Sequence, residues 1–211
     1  MKITWLGHSS FLIEDSKGIK LLTDPFDTTL GYDLYKGSVD VVTISHKHFD
    51  HNYTKGLKGD FRIIDKASMF CASDIHINGI PSYHDKDKGA KRGDNIIFTF
   101  KMDDYTFCHL GDLGHTLSND DIDAIGTVDI LFIPVGGNYT IDGREASEIT
   151  KKINPKIVIP MHYKTSRVSF PLDGVETFLT YMKNASKIDS NTLVITDKIK
   201  ESLSVKILNY I

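Results

Sequence analysis

The stretch His46-Lys47-His48-Phe49-Asp50-His51 places three imidazoles and a carboxylate within six residues, directly after the run Val39-Asp40-Val41-Val42-Thr43-Ile44. That preceding run is β-branched and compact, and reads as a central strand. A lone histidine is ordinarily a surface residue or a hydrogen-bonded core residue. Crowded at one strand end, these groups would repel one another if protonated and would be costly to desolvate. A divalent cation removes both difficulties, because neutral imidazole and carboxylate are its natural ligands. In extended backbone, residues two apart point the same way, so His46 and His48 can grip one ion. Asp50 and His51 lie further on, where the chain turns, and can grip another. Two ions about 3.5–4 Å apart form a familiar arrangement for hydrolysing phosphoryl or acyl bonds.

Such a centre needs ligands from elsewhere in the chain, again at strand ends. His84 follows Pro81-Ser82-Tyr83, Asp112 follows Leu110-Gly111, and His162 follows Ile157-Val158-Ile159-Pro160-Met161. Asp112 offers two oxygens and can bridge both ions. Short strands are expected at Met1 to Leu6, Ser10 to Glu14, Lys20 to Thr23, Arg62 to Ile64 and Met69 to Cys71. Asn95 to Phe100 and Tyr105 to Leu110 read as a hairpin turning at Met102-Asp103-Asp104. Asp129 to Val135 and Lys156 to Pro160 are apolar runs of the fully buried kind, and Thr192 to Thr196 and Leu203 to Leu208 read as closing strands. Ser118 caps a helix reaching about Ile125, and Asp142-Gly143-Arg144-Glu145 is a capping box for a helix closed by Asn154-Pro155. Asp173-Gly174-Val175-Glu176 repeats that signal for a helix to about Asn184. Two sheets with helices outside account for the pattern, as one domain over residues 1–211.

The chain has 211 residues, 40% hydrophobic and 25% charged, with 25 Lys plus Arg against 28 Asp plus Glu. A formal charge of −3 argues against a general nucleic-acid binder, which shows a basic excess. Met1 to Trp5 reads as a strand rather than a signal peptide, and no apolar run approaches the roughly 18 residues of a membrane helix. A cytoplasmic protein is therefore expected, with Cys71 and Cys108 reduced and partly buried.

His46-x-His48-x-Asp50-His51, followed by His84, Asp112 in Gly-Asp and His162 in Pro-Met-His-Tyr, resembles the metallo-β-lactamase-fold hydrolases. The likeness runs from Trp5-Leu6-Gly7-His8-Ser9 to Tyr163. It is nearest to the branch containing the ascorbate-6-phosphate lactonases and the N-acyl-phosphatidylethanolamine phospholipase D enzymes. The resemblance implies an α/β, four-layer αββα sandwich with the site at one edge of the sheets. It also implies that His46, His48 and His84 hold a first metal, that Asp50, His51 and His162 hold a second, and that Asp112 bridges them. Such proteins bind zinc, manganese or iron, and zinc is the expected ion here. The redox-active di-iron branch typically has Glu where this chain has His48, which favours hydrolysis. There is no room for the long insertion of the nuclease branch.

Two divalent ions set against Asp50, Asp112 and a bridging hydroxide leave a centre of about +1, which suits a small anionic substrate. The expected reaction is attack by a metal-bound water, its pKa lowered toward about 7, on an ester, phosphodiester or lactone. A nuclease or cyclic-nucleotide phosphodiesterase is the alternative enzyme, and a non-catalytic metal-binding sensor or scaffold is the alternative of another class. Asp24 before Pro25 is expected to orient a liganding histidine, with a turn-initiating role as the other reading. His8 and His115, each beside a glycine, can contact substrate, donate a proton to the leaving group or tie loops together. Gly136-Gly137 can present backbone N–H groups to an anion, or simply turn the chain. Lys164 and Arg167 can pair with a substrate phosphate or be merely solvated. The charged loop from Asp85 to Gly93 is either a solvated turn or a mobile wall beside the site. His76 and His109 read as ordinary structural residues, and similar enzymes are often homo-oligomers.

Overall fold

The structure, a computed structural model, describes residues 1–200 and 202–210. A six-stranded sheet contains β1 (Lys2–Gly7), β2 (Ser10–Glu14), β3 (Lys20–Thr23), β4 (Val41–Thr43) and β5 (Arg62–Ile64). The eight-stranded sheet begins with β6 (Met69–Ala72), β7 (Ile75–Tyr83), β8 (Asp94–Met102) and β9 (Tyr105–His109). It continues through β10 (Ile130–Pro134), β11 (Ile157–Met161) and β12 (Ala185–Ile188). β13 (Thr192–Val194) returns to pair with β1 in the first sheet, and β14 (Ser204–Leu208) ends the chain in the second, between β11 and β12. The helices α1 (Asn119–Ile125), α2 (Gly143–Ile153) and α3 (Glu176–Thr180) pack on one another and, through α2, on β10.

The expected sandwich is present. Between the sheets lies one large apolar cluster, with the ring of Phe11 of β2 4.3 Å from that of Phe132 of β10 and tilted against it, and Phe107 of β9 beyond. β3 and β4 are buried on both faces: Leu21 and Val41 enter that cluster, while Leu22 and Val42 face outward. Their outer cover is irregular chain carrying Tyr35, Leu57 and Phe61, so the outer layer on this side is loop where helices lie over the other sheet.

The start signals of α1 and α2 are realised as full capping boxes, Ser118 with Asp121 and Asp142 with Glu145. The helix expected from Asp173 to Asn184 is shorter. It covers only Glu176–Thr180 and lacks a side-chain cap, because the backbone of Asp173 is engaged elsewhere, donating to Gly136 and accepting from Lys164. β7 was not anticipated: Asn78, Gly79 and Pro81 break its alternation, yet it pairs with β8 over seven residues. Cys108 is buried as expected, whereas Cys71 is exposed on β6, a strand at the edge of its sheet.

β3, β4 and β5 are mutually parallel, and so are β9, β10, β11 and β14. Their carboxyl ends gather at one edge of the sandwich, where chain leaving each strand supplies side chains without interrupting a ladder. Phe132→Ala should cost about 3–5 kcal/mol of stability, since it empties a site contacted from both sheets. Denaturant unfolding measures the loss; a change below about 1 kcal/mol would contradict this account of the core.

Candidate metal centre

Each predicted ligand leaves the end of a strand. Asp24 follows β3, and the segment from Ser45 to His51 follows β4. His84, Asp112 and His162 follow β7, β9 and β11 respectively. The strands thus deliver side chains from both sheets to a single point. That point is Asp112 Oδ2, which lies 3.1 Å from His162 Nε2, 3.2 Å from both His51 Nε2 and His84 Nε2, and 3.8 Å from His46 Nε2. The donor atoms of His46, His48 and His84 lie within 4.8 Å of one another, as do those of His46, His51 and Asp112. A third group of the same kind joins His51 and His162 to His8. Asp50 lies beside it, its Oδ2 3.4 Å from His8 Nε2 and 3.8 Å from His51 Nε2.

All the expected ligands are therefore brought together, and all but the exposed His48 are buried. The residues fit a cation. His46 Nε2, His51 Nε2 and Asp112 Oδ1 are buried without a hydrogen-bond partner among the described residues, an expense that native proteins avoid. One ligand atom from each of these three residues lies within 4.8 Å of those of the others, a spacing that a shared ion could bridge. Tautomers are set from behind. Asp24 accepts from His51 Nδ1 at 3.0 Å, leaving Nε2 as the acceptor atom toward the centre. Asp24 also accepts from the Ser45 hydroxyl at 2.6 Å and the Ser45 backbone N–H at 2.7 Å. With its proton given to Asp24, Ser45 Oγ must accept from His46 Nδ1, 2.9 Å away, and His46 Nε2 is likewise freed. One buried carboxylate orients two imidazoles, the supporting position expected for Asp24.

Electrostatics agree with this division. Burial, reinforced by the neighbouring His51, pulls His46 down to about 3, and burial with His162 pulls His8 down to about 4. Burial also pulls His51 down, but Asp112 and Asp24 on its two sides overrule it and hold the imidazole well above its ordinary value. His51 thus sits where the two carboxylates call most strongly for positive charge. Burial raises Asp112, and His162 and His51 more than offset this, holding it well below the carboxylate range.

Backbone strain concentrates at the same place. His8, Asp24 and His162 have φ of 52°, 39° and 51°, a left-handed conformation uncommon for residues with a side chain. Gly136 is required by close approach, since a Cβ there would lie 2.1 Å from the carbonyl oxygen of His162. Gly137 turns the chain at φ 60°. These contacts account for both glycines through packing and chain reversal. His115 is not brought to the cluster: its Nδ1 donates to the Thr116 carbonyl and its Nε2 accepts from the Tyr83 N–H, so it ties two loops together. Lys164 is likewise occupied, its ammonium donating to the carbonyls of Val168 and Phe170. His109 is buried with both nitrogens bonded to backbone, and His76 is exposed.

Three contributors escaped sequence reasoning. Ser45 relays Asp24 to His46, and Asn95 fixes Asp112 by accepting from its backbone N–H at 2.9 Å while donating to Leu110 and Ser82. The third is Arg92. It lines a cavity of about 360 Å³ above the centre, together with His48, Asp50, Phe49, Tyr139 and Phe170. The loop that carries Arg92 is an ordered wall, wrapped around Asp85. The Asp85 carboxylate accepts from the backbone N–H groups of Asp87, Gly89, Lys91 and Arg92 at 2.7–3.0 Å.

The family profile described as "Beta-lactamase superfamily domain" matches residues 2–162. A UPF0173 metal-dependent hydrolase of Pelotomaculum thermopropionicum is 32% identical over 198 residues, covering 78% of this chain and 85% of that protein. A UPF0173 protein of Pyrococcus furiosus is 30% identical, covering 78% and 84%. Among solved structures, one from Thermotoga maritima, named as a candidate Zn-dependent hydrolase of the metallo-β-lactamase superfamily, superposes with a TM-score of 0.84. It is 38% identical and covers 98% of this chain and 97% of its own. The chain belongs to the β-lactamase superfamily and, within it, to the UPF0173 metal-dependent hydrolase family.

The Asp85 wrap carries a pH signature. Burial raises its carboxyl, but the four backbone N–H groups overrule it and hold the group at about 2. A depressed carboxylate stabilises the fold above its unfolded value of about 3.9 and loses that contribution as pH falls through the folded value. Asp85→Asn should therefore be less stable than wild type at pH 7, with the gap closing between about pH 4 and pH 2. Denaturant titrations of both proteins across that range test it; a gap independent of pH would contradict the assignment.

Proposed function

We propose that this member of the UPF0173 metal-dependent hydrolase family carries a dinuclear centre, of zinc, and hydrolyses an ester, phosphodiester or lactone bond in a small anionic substrate. One observation carries the reading: four imidazole Nε2 atoms from both sheets converge on Asp112 Oδ2 at the floor of a cavity. His46, His48 and His84 would hold one ion, Asp50, His51 and His162 the other, with Asp112 shared. When bound, such ions polarise a carbonyl or phosphoryl oxygen and lower the pKa of water toward about 7.

The chain's own residues do the rest. Asp24, directly and through Ser45, keeps the Nε2 lone pairs of His51 and His46 facing inward. Asp50 lines the cavity and accepts a proton from the attacking water at its carboxylate, with His8 behind it to stabilise the exchange. Water adds its oxygen to the carbonyl carbon or phosphorus, the bond to the leaving oxygen breaks, and the proton passes to that oxygen. Phe49, Tyr139 and Phe170 wall the cavity and limit competing water. His8 is the proton-exchange partner favoured by position; His115 is a loop tie.

A volume of about 360 Å³ with Arg92 as its only lining Lys or Arg among the described residues suits a small molecule better than a polynucleotide. An open cavity above the ligands favours turnover over a sensor or scaffold, since structural zinc sites are closed. The ligand order keeps the lactonases and phospholipases of the resembling branch as guides to bond type. The proposal keeps the chain as one cytoplasmic domain; separately, no described helix is long and apolar enough to cross a membrane.

Wild-type protein should hold about two divalent ions per chain and cleave at least one member of a panel of generic phosphodiesters and lactones. Asp112→Ala should lose both metal content, read by elemental analysis, and turnover. Full activity in that variant would sink the proposal, as would two bound ions with no hydrolysis of any panel member.

A further inference from the structure

Arg92 is the one Lys or Arg of the cavity lining among the described residues, and its charge is used only against the Tyr139 ring and the Asn138 carbonyl. Its guanidinium has no carboxylate within ion-pair distance among the described residues, although Arg and carboxylate pair readily. It donates once, from Nη2 to the Asn138 carbonyl at 3.3 Å, and lies 4.7 Å over the ring of Tyr139. A guanidinium has five N–H donors in a planar fork, so most remain available. Of the other cations nearby, Lys86 is engaged by Glu145, Lys164 by two carbonyls and Lys91 by Asp87, while Lys47 and Lys66 line the adjoining groove and not the smaller cavity.

The position of Arg92 is fixed from both ends. Its backbone N–H is held by Asp85, one residue beyond His84, and the Gly93 carbonyl accepts from the His84 N–H at 3.1 Å. The guanidinium is therefore mounted on the same short segment as a metal ligand, at a set remove from the centre. Arg92 and His48 also belong to the walls of both the 360 Å³ cavity and an adjoining groove of about 620 Å³, so Arg92 stands where the two meet. Apart from the clustered His and Asp residues on its floor, the rest of the smaller cavity is walled by Phe49, Tyr139 and Phe170. Phe49 is 53% exposed, far more than an apolar ring usually is without a partner, and meets Phe170 edge to face at 6.4 Å. Phe170 in turn meets Tyr139.

We infer that Arg92 is a specificity-determining anchor for a second anionic group of the substrate, a carboxylate or phosphate remote from the scissile bond. That group is borne on a flat apolar body held between Phe49, Tyr139 and Phe170. The inference rests on the reading of this cavity as the substrate site. It narrows that reading from a small anion to a substrate with two recognition points: the bond to be cleaved at the metal ligands and the anion at the guanidinium. Tyr139 pre-stacks the guanidinium, so its planar fork is ready for bidentate capture.

The test is isothermal titration of the metal-loaded full chain with 3-phenylpropionate and phenyl phosphate. Propionate and inorganic phosphate serve as anion-only probes, and 3-phenylpropan-1-ol as the apolar-only probe. An aryl anion should bind more tightly than its anion-only or apolar-only counterpart, and whichever of the two aryl anions wins identifies the group. Arg92→Gln should weaken that binding about tenfold or more, with metal content unchanged, and Arg92→Lys should recover part of it. Unchanged affinity in Arg92→Gln would overturn the inference, as would binding that vanishes on chelation yet ignores the Arg92 substitutions, since the anion then sits on the metals. Should wild type bind the probes through Arg92 but hydrolyse no ester, phosphodiester or lactone, the proposed activity fails while the anchor stands.

Discussion

Six imidazoles and three carboxylates, gathered from both sheets, crowd one edge of this protein, most of them out of contact with water. Left alone, such a group is expensive: buried polar atoms lose their hydration and several find no protein partner in return. The cost is reduced first by Asp24 and Asp112, which flank His51 and together oppose its desolvation. It is removed when a cation occupies the space the lone pairs face. The strained backbone at His8, Asp24 and His162 belongs to the same accounting. Each of these residues follows a strand directly or within one residue, and each turns into a left-handed conformation that brings its side chain to the centre instead of continuing the strand. Such conformations persist only where surrounding structure over-determines them. Here the hydrogen bonds from Ser45 to Asp24 and from the His162 N–H to the His8 carbonyl do so.

What the sequence disclosed follows from how local each signal is. The clustered His and Asp residues were legible because metal binding needs particular atoms near strand ends, and His46 to His51, Asp112 after β9 and His162 after β11 are visible without knowing what they pack against. The capping boxes of α1 and α2 were legible because both partners lie within four residues. The helix after Asp173 failed for the complementary reason: an identical local signal was overridden by hydrogen bonds to Gly136 and Lys164, distant in sequence. β7 was hidden because its stability comes from pairing with β8 and not from its own alternation. Ser45, Asn95 and Arg92 act through contacts that only the assembled fold creates. His115 and Lys164 looked available beside the motif, and the structure shows both already engaged by backbone groups.

Strand ends and loops share the site unevenly. Asp24, His84 and His162 directly follow β3, β7 and β11, where small displacements would cost ladder hydrogen bonds. His48, Asp50 and His51 lie further along the segment after β4, with Phe49 among them, and Arg92, Tyr139 and Phe170 come from other connecting segments. The residues set directly on strand ends are the most rigidly placed, and the walls can vary more freely. The loop bearing Arg92 is an intermediate case, since Asp85 gathers four backbone N–H groups and makes an irregular segment nearly as determined as a strand end.

That intermediate rigidity bears on why the guanidinium is left unpaired. A free cation on a mobile loop would find a surface carboxylate at little cost, and its charge would be spent. Arg92 is restrained at its backbone by Asp85 and at its head by the Tyr139 ring and the Asn138 carbonyl. None of these partners carries a negative charge at the guanidinium, since Asp85 meets only the backbone N–H of Arg92. The arrangement holds positive charge at the mouth of the cavity. On the proposed reading, ions on the floor would add a second positive centre, and a ligand carrying negative charge at both ends would relieve the repulsion between the two.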